Sequence, residues 1–379
     1  MTDAIRPFTL AIPQSDLDDL HRRIDMARWP ERETVDDWSQ GVPLAALRDF
    51  VNHWRHSYDW RPCEAWLNQT GQYITEIDGV DIHFLHVRSK HANATPLVLT
   101  HGWPGSVLEF RGVIAALTDP EAHGGKAADA FHCVVPALPG YGFSGKPTAS
   151  GWGVERIGRA WGTLMERLGY TRWLAQGGDW GAAVTTAIGV QKVEGCAGIH
   201  LNMPIARPEA EDLANPGPDE LRALAALQHY QQWDSGYSTQ QRTRPQTIGY
   251  ALVDSPVGLA GWIYEKMWAW TDNNGRPEDA LTRDAMCDNL MLYWLTGAGA
   301  SSARLYWESF GSFAPQVIEL PVAVSQFPKE IIPAARKWAE RVFPALAHWG
   351  DMPKGGHFAA WEQPEAFVAE LRAGFATMR

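Results

Sequence analysis

Apolar residues recur along this chain with two different periods, and the switch between them divides it. Over residues 14–26, Leu17, Leu20 and Ile24 fall on one helical face, with Ser15 as the expected N-cap. Residues 44–54 repeat the pattern through Leu47, Phe50, Val51 and Trp54, so the first 70 residues read as helical. From Gly71 alternation takes over. Runs at 73–77 and 80–87 are strand-like and are joined by Asp78-Gly79, a dipeptide suited to a hairpin turn. Short apolar strands are expected at 96–100, 131–135, 172–175 and 197–201. Between them come helices: an amphipathic one from about Ser106, then 153–168 and 182–190. The 153–168 helix is the clearest, with Val154, Ile157, Ala160, Trp161, Leu164, Met165 and Leu168 on one stripe. Such alternation makes a mostly parallel sheet with right-handed crossovers, an α/β layered fold.

Residues 204–307 break the rhythm: they read as helical, are rich in Trp and Tyr, and contain no convincing strand. Strands resume at 320–325 and 346–349, with helices near 333–342 and 364–375. A helical block inserted into an interrupted sheet predicts a cap over an active site. The expected organisation is a helical extension at 1–70, a core formed by 71–203 and 308–379, and a cap at 204–307.

Composition narrows the function. A chain of 379 residues, 45% apolar and 20% charged, is globular and buries a sizeable core. The net charge is −11, from 33 basic against 44 acidic residues, with no basic run, so nucleic-acid partners are excluded. The N-terminal residues lead into no apolar signal region, and no window approaches the roughly 18 apolar residues of a membrane span. Cys63, Cys133, Cys196 and Cys287 are scattered, without CxxC or His at ligand spacing, which predicts buried thiols rather than disulfides or a metal site. A cytoplasmic protein without a membrane anchor is expected, and nothing excludes a homo-oligomer. The odd figure is 19 tryptophans, more than a core requires.

Three segments carry chemistry. Gln176-Gly177-Gly178-Asp179-Trp180-Gly181 joins an expected strand to an expected helix, and flanking glycines permit the strained turn that lifts one side chain above a sheet. Asp179 occupies the place of the usual serine, and the chain has no G-x-S-x-G. Taken alone, Asp179 reads equally as a helix N-cap or a nucleophile. His357, in Lys354-Gly355-Gly356-His357-Phe358-Ala359 after the last strand, fits the chain order nucleophile, acid, histidine. The orienting acid is Glu330, which follows the 320–325 strand, or Asp351, six residues before His357. His101-Gly102-Trp103-Pro104 follows a strand, so the backbone N–H groups of Trp103 and Trp180 are the expected oxyanion hole.

These three segments resemble the epoxide hydrolases of the α/β hydrolase fold. Arg6-Pro7-Phe8, Asp16-Leu17 and Arg28-Trp29-Pro30 are similar to the N-terminal extension of the microsomal and juvenile-hormone type. The stretches Ser235-Gly236-Tyr237 to Asp254-Ser255-Pro256-Val257-Gly258-Leu259, and Leu292-Tyr293-Trp294 to Arg304-Leu305-Tyr306, extend the resemblance over nearly the whole chain. The membrane anchor of the eukaryotic microsomal enzymes has no counterpart in it.

The resemblance implies a pair of cap phenols, Tyr237 and Tyr306, that hold and protonate the epoxide oxygen. It implies attack by Asp179 on an epoxide carbon, a covalent ester, and hydrolysis by water activated by His357 and Glu330. A small apolar epoxide and water would be the partners, with no cofactor and no metal. The tryptophan-rich cap suits an apolar substrate. Two rivals share the framework: a haloalkane dehalogenase, which also resembles an Asp nucleophile with His on this fold, and a non-catalytic ligand-binding α/β hydrolase.

Overall fold

A computed structural model describes residues 3–309 and 311–379. Its strands are β1 (Arg6–Pro7), β2 (Gln72–Ile77), β3 (Val80–Val87), β4 (Thr95–Thr100), β5 (Phe131–Pro136), β6 (Trp173–Gly177), β7 (Cys196–Leu201), β8 (Val322–Gln326) and β9 (Leu346–Asp351). They form one sheet in the order β1-β2-β3-β5-β4-β6-β7-β8-β9. β2 turns into β3 across Asp78 and Gly79, both at positive φ (51° and 80°), the geometry a two-residue hairpin needs. β1, β2, β3 and β5 pair antiparallel in turn, and from β5 through β4 to β9 every pair is parallel.

This order places the site. From β4 the chain crosses to β5 on one side and then returns to β6 on the other. Where the winding reverses, the loops leaving adjacent strands part and open a crevice. The loops after β4 and β6 border that crevice. Helix Trp180–Gln191, which leaves β6, is buried on nearly all sides, as its apolar sequence requires. Helix Val154–Arg167 packs beside it through the stripe read from the sequence.

Above the crevice lie the helices Ala210–Ala214, Pro218–His229, Gly236–Thr243, Pro245–Asp254, Pro256–Trp270, Arg283–Trp294 and Ala298–Glu308, with a π-helical turn at Tyr230–Asp234. The N-terminal helices Gln14–Asp25, Leu44–His56 and Arg61–Thr70 brace this block rather than the sheet alone. Phe50 stacks on Tyr264 at 4.4 Å, Trp38 on Trp268 at 4.5 Å, and the Tyr58 hydroxyl donates to Asp288 at 2.7 Å.

Two sequence expectations fail locally. Ser15 does not cap the first helix: Pro13 stands at the N-cap without a side-chain bond, and the Ser15 hydroxyl meets Asp16. The fixed φ of proline suits a helix start, so no cap side chain is needed there. After β4 there is no long amphipathic helix from Ser106. A 3-10 turn at Val107–Phe110, capped by Ser106 Oγ, is followed by the single-turn helix Ile114–Thr118. Val107, Leu108 and Phe110 are all buried, and Gly112 lies in the turn between the two short pieces. All four cysteines are buried free thiols, and no helix of the described residues is long and apolar enough to cross a membrane.

Candidate active site

Asp179 sits between the end of β6 and the start of helix Trp180–Gln191 with φ 50° and ψ −126°, a conformation that a side-chain-bearing residue adopts only under constraint. The glycines around it explain the constraint. A Cβ on Gly177 would come within 2.0 Å of the Gly181 carbonyl, one on Gly181 within 1.9 Å of the Thr100 carbonyl, and one on Gly102 within 2.2 Å of Asp179 Oδ1. At these three positions the β4 and β6 loops close on each other with no room for a side chain. Although Asp179 holds the N-cap position, its carboxylate caps nothing. Instead Oδ1 accepts the Trp103 N–H at 2.7 Å. The Trp180 N–H begins the helix, where position alone leaves an amide without an intrahelical acceptor.

His357 approaches from the loop after β9. Its Nε2 is 3.3 Å from Asp179 Oδ2, and its Nδ1 is 2.8 Å from Oε1 of the buried Glu330. Asp351, the other sequence candidate, is exposed at the end of β9 and accepts from the Trp349 indole at 3.1 Å. Burial alone would lower the His357 pKa, but the Glu330 and Asp179 carboxylates outweigh it and hold the imidazole well above its ordinary value. The flanking loop is fixed by its backbone: the His357 N–H donates to the Trp270 carbonyl at 2.9 Å, and Lys329 bonds Gly355 at 3.1 Å.

Tyr237, on helix Gly236–Thr243, and Tyr306, on helix Ala298–Glu308, meet above Asp179. Their ring centroids are 5.8 Å apart. Tyr237 stacks on Trp103 at 4.9 Å, and Tyr306 stands edge-on to Trp180 at 4.7 Å. Burial first, and then neighbouring phenols and Asp179, push both phenols well above their ordinary range, so both are neutral donors. The Tyr306 hydroxyl is buried beside the Trp180 side chain, whose indole can only donate to it, so its own O–H has no acceptor among the described residues, whereas that of Tyr237 lies 3.2 Å from the Tyr230 hydroxyl. Asp179, Tyr237 and Tyr306 all line one cavity of about 520 Å³. A separate chamber of about 10 Å³, the size of one water, adjoins Asp179, His357, Glu109, Gln176 and Asn202, and also Phe110, Phe358 and Phe367. Asp179, His357, Glu330, Tyr237, Tyr306, Trp103 and Trp180 thus come together, and Asp351 stays outside.

Other contributors lack a sequence signal that could have been read. Lys266 is buried 4.9 Å beneath the Tyr237 ring and pairs with Asp234 at 2.7 Å and Glu265 at 2.6 Å. Glu362 collects the N–H groups of Asp272, Gly356 and Phe358 at 2.7, 3.1 and 3.0 Å, which ties the histidine loop to the end of the cap. Burial pushes Glu362 up to about 7 and Glu109 up to about 8. Tyr293 donates to the Gly105 carbonyl at 2.8 Å, and Asn289 to the Pro104 carbonyl at 2.7 Å, so the cap fixes the loop after β4. His101 lies behind that loop; burial lowers it to about 4, and its Nδ1 meets the Gly102 carbonyl at 2.9 Å.

A mostly parallel sheet carrying a carboxylate on the sharp turn after a central strand, with a histidine and acid on later loops, is the arrangement of an α/β hydrolase. The alpha/beta hydrolase fold family model matches residues 95–237, and the family model described as Epoxide hydrolase N terminus matches residues 5–110. A putative epoxide hydrolase of Stigmatella aurantiaca is 58% identical over 376 residues, covering 99% of this chain and 86% of that relative. Epoxide hydrolase 1 of Oryctolagus cuniculus is 34% identical over 406 residues, covering 97% and 88%. The solved epoxide hydrolase of Aspergillus niger superposes with a TM-score of 0.89 at 32% identity, covering 99% of this chain and 97% of that one. The juvenile hormone epoxide hydrolase of the silkworm Bombyx mori gives 0.91 at 30%, covering 99% and 95%. The chain belongs to the epoxide hydrolase family of hydrolytic enzymes.

Proposed function

We propose that this chain converts an epoxide to a vicinal diol through a covalent ester on Asp179. The observation that carries the reading is the single cavity shared by the Asp179 carboxylate and the Tyr237 and Tyr306 phenols, with the His357–Glu330 pair against Asp179. Asp179 Oδ2 attacks an epoxide carbon, because Oδ1 is engaged by the Trp103 amide. The C–O bond breaks, its electrons go to oxygen, and a phenol supplies the proton. A phenol suits this step because it stays neutral at pH 7 and can still donate to a strongly basic alkoxide.

Alkylation then changes the histidine. While both carboxylates are charged, they hold a proton on His357. Esterification removes the Asp179 charge, so the imidazolium gives up its proton, which replaces the one the phenol donated, and the neutral imidazole can then accept a proton from water. The hydroxide adds to the ester carbonyl carbon, and the developing oxyanion is received by the Trp103 and Trp180 N–H groups. Collapse releases the diol, and the proton on His357 goes to the departing oxygen. Glu330 holds the ring and balances its charge. The working division into extension 1–70, core 71–203 and 308–379 and cap 204–307 follows the same reading: core carboxylate and histidine, cap phenols.

The two halves of the cycle separate in variants. Asp179→Ala is expected to abolish turnover, whereas His357→Gln forms the ester but fails to hydrolyse it. Mass spectrometry of His357→Gln incubated with an aryl epoxide should find one substrate mass added to the peptide containing Asp179. An unmodified peptide alongside continued diol production would refute the covalent route.

A further inference from the structure

The cavity above Asp179 is not uniformly apolar. Arg207 and Arg242 both line it. Arg207 stands on the loop that leaves β7 for the cap and is half-buried. Its Nη1 donates to the neighbouring Ala206 carbonyl at 2.9 Å, and the charged or titratable group that acts on it is the phenol of Tyr230, not a carboxylate. Acids of the same segment are already taken: Asp212 accepts from Arg341 at 2.5 Å and from Lys337 at 2.8 Å, Glu209 pairs with Arg341 at 3.5 Å, and Arg341 also bonds the Arg207 carbonyl at 3.3 Å. A guanidinium cannot shed its proton to escape burial, so its charge is carried into the cavity wall with most of its five N–H donors unspent. Burial draws it below the ordinary guanidinium range. Leaving such a group without an anion is costly, and residues that only pack would do better there.

The surroundings say what the anion is attached to. A second cavity of about 440 Å³ shares Arg207, Tyr230, Gln231 and Ile332 with the first and continues over Leu224 and Leu227. Arg207 therefore stands at the junction of two cavities. Between it and the phenol pair lies Tyr230, whose hydroxyl is 3.2 Å from that of Tyr237. A ligand with its oxirane between Asp179 and the two phenols can run past Tyr230 to the guanidinium along a wall that includes Met203, Phe313, Ile331 and Ile332.

We propose that the substrate of this enzyme is an epoxide whose carbon skeleton bears a carboxylate, and that Arg207 determines this specificity by binding the carboxylate at the junction of the two cavities. The inference rests on the epoxide hydrolase reading above and replaces the expectation of a wholly apolar substrate. Guanidinium and carboxylate match as planar, bidentate partners, and out of bulk water such a pair is strong.

The test compares each of several epoxy carboxylates, differing in chain length, with its own methyl ester, so that the skeleton is constant and only the charge changes. The wild-type enzyme is expected to favour the acid over the ester in kcat/KM by about tenfold to a hundredfold, as a charged hydrogen bond implies. In Arg207→Gln that ratio should fall towards one, mostly through a higher KM for the acid, while Arg207→Lys retains part of it. Arg222→Gln, at an exposed cap site paired with Asp219, is the control and keeps the ratio. A saturated carboxylate of the best length, without an oxirane, should raise the Tm of the wild-type protein and not of Arg207→Gln. Esters turned over as well as acids at every length, or a ratio unchanged in Arg207→Gln, would overturn the inference and leave the epoxide hydrolase reading standing. Failure to open any oxirane, acid or ester, would overturn that reading itself.

Discussion

Residue identity was most legible where chemistry and backbone geometry demand the same thing. The glycines at 177, 178 and 181 announce a turn too tight for side chains, and the turn exists to hold Asp179 at φ 50°. The choice between Glu330 and Asp351 was not legible, because both follow strands. Geometry separates them: Glu330 lies 2.8 Å from His357 Nδ1, whereas Asp351 is exposed and bonded to Trp349. The phenols were reached by resemblance alone, since nothing in spacing separates Tyr306 from the nine other tyrosines of the chain. In the structure the separation is physical: its hydroxyl is buried within the field of Asp179, and its O–H has no acceptor among the described residues. A buried donor without a partner is costly unless a ligand supplies the acceptor. Tyr306→Phe should therefore slow ester formation by about a hundredfold, the lower end of the usual range for a lost general acid, and leave ester hydrolysis unaffected. Quenched-flow measurement of the alkylated enzyme separates the two steps. An alkylation rate within twofold of the wild type would remove Tyr306 from the mechanism.

At the scale of elements, periodicity located most strands and helices but could not say how a helix in the cap serves a residue on its neighbour. Lys266 lies on helix Pro256–Trp270, in a stretch that reads as a greasy run broken by two charges. Those charges are structural. The ammonium is buried between Asp234, which closes the π-helical turn, and Glu265, with the Tyr237 ring above it, while the Trp270 indole donates to the other oxygen of Asp234 at 2.5 Å. The turn, the Tyr237 helix and the helix beneath are thereby fixed to one another. Lys266→Met strands two carboxylates in a dry site, and removing one partner of a buried pair typically costs about 3–5 kcal/mol. The Tm should fall by several degrees, and kcat should fall with it as Tyr237 loses its support. Asp234→Asn added to Lys266→Met should recover part of the lost stability, because one orphaned charge is then gone. A double variant no more stable than Lys266→Met would show that the cluster does not act as a unit.

For the whole molecule, the sheet's winding explains why a site assembled from residues 103, 179, 330 and 357 could be anticipated without coordinates. In a parallel sheet the chemistry gathers at strand ends beside the switch point, and each of these residues follows a strand. What the pattern of apolar residues could not reveal is how many polar groups that sheet encloses. His200, near the end of β7, is fully buried; its Nε2 meets Ser325 Oγ at 2.8 Å, the Ser325 hydroxyl passes on to Glu370 at 2.8 Å, and Nδ1 has no partner among the described residues. Burial lowers its pKa to about 3. The unfolded chain protonates the same ring near about pH 6.5. The sign follows: above pH 6.5 the ring is neutral in both states and contributes no pH dependence. Below it the unfolded state binds a proton that the folded state refuses, so stability is lost as the pH falls, down to the folded value. The slope for one such group is about 1.4 kcal/mol per pH unit. His200→Gln, which keeps an amide within reach of Ser325, should have lower stability at pH 7.5 but a shallower acid limb. Between pH 7.5 and pH 5, urea unfolding of the wild type should lose about 2 kcal/mol more than that of the variant. Parallel pH curves for the two proteins would mean that the core admits a charged imidazole at this position, which the geometry around His200 argues against.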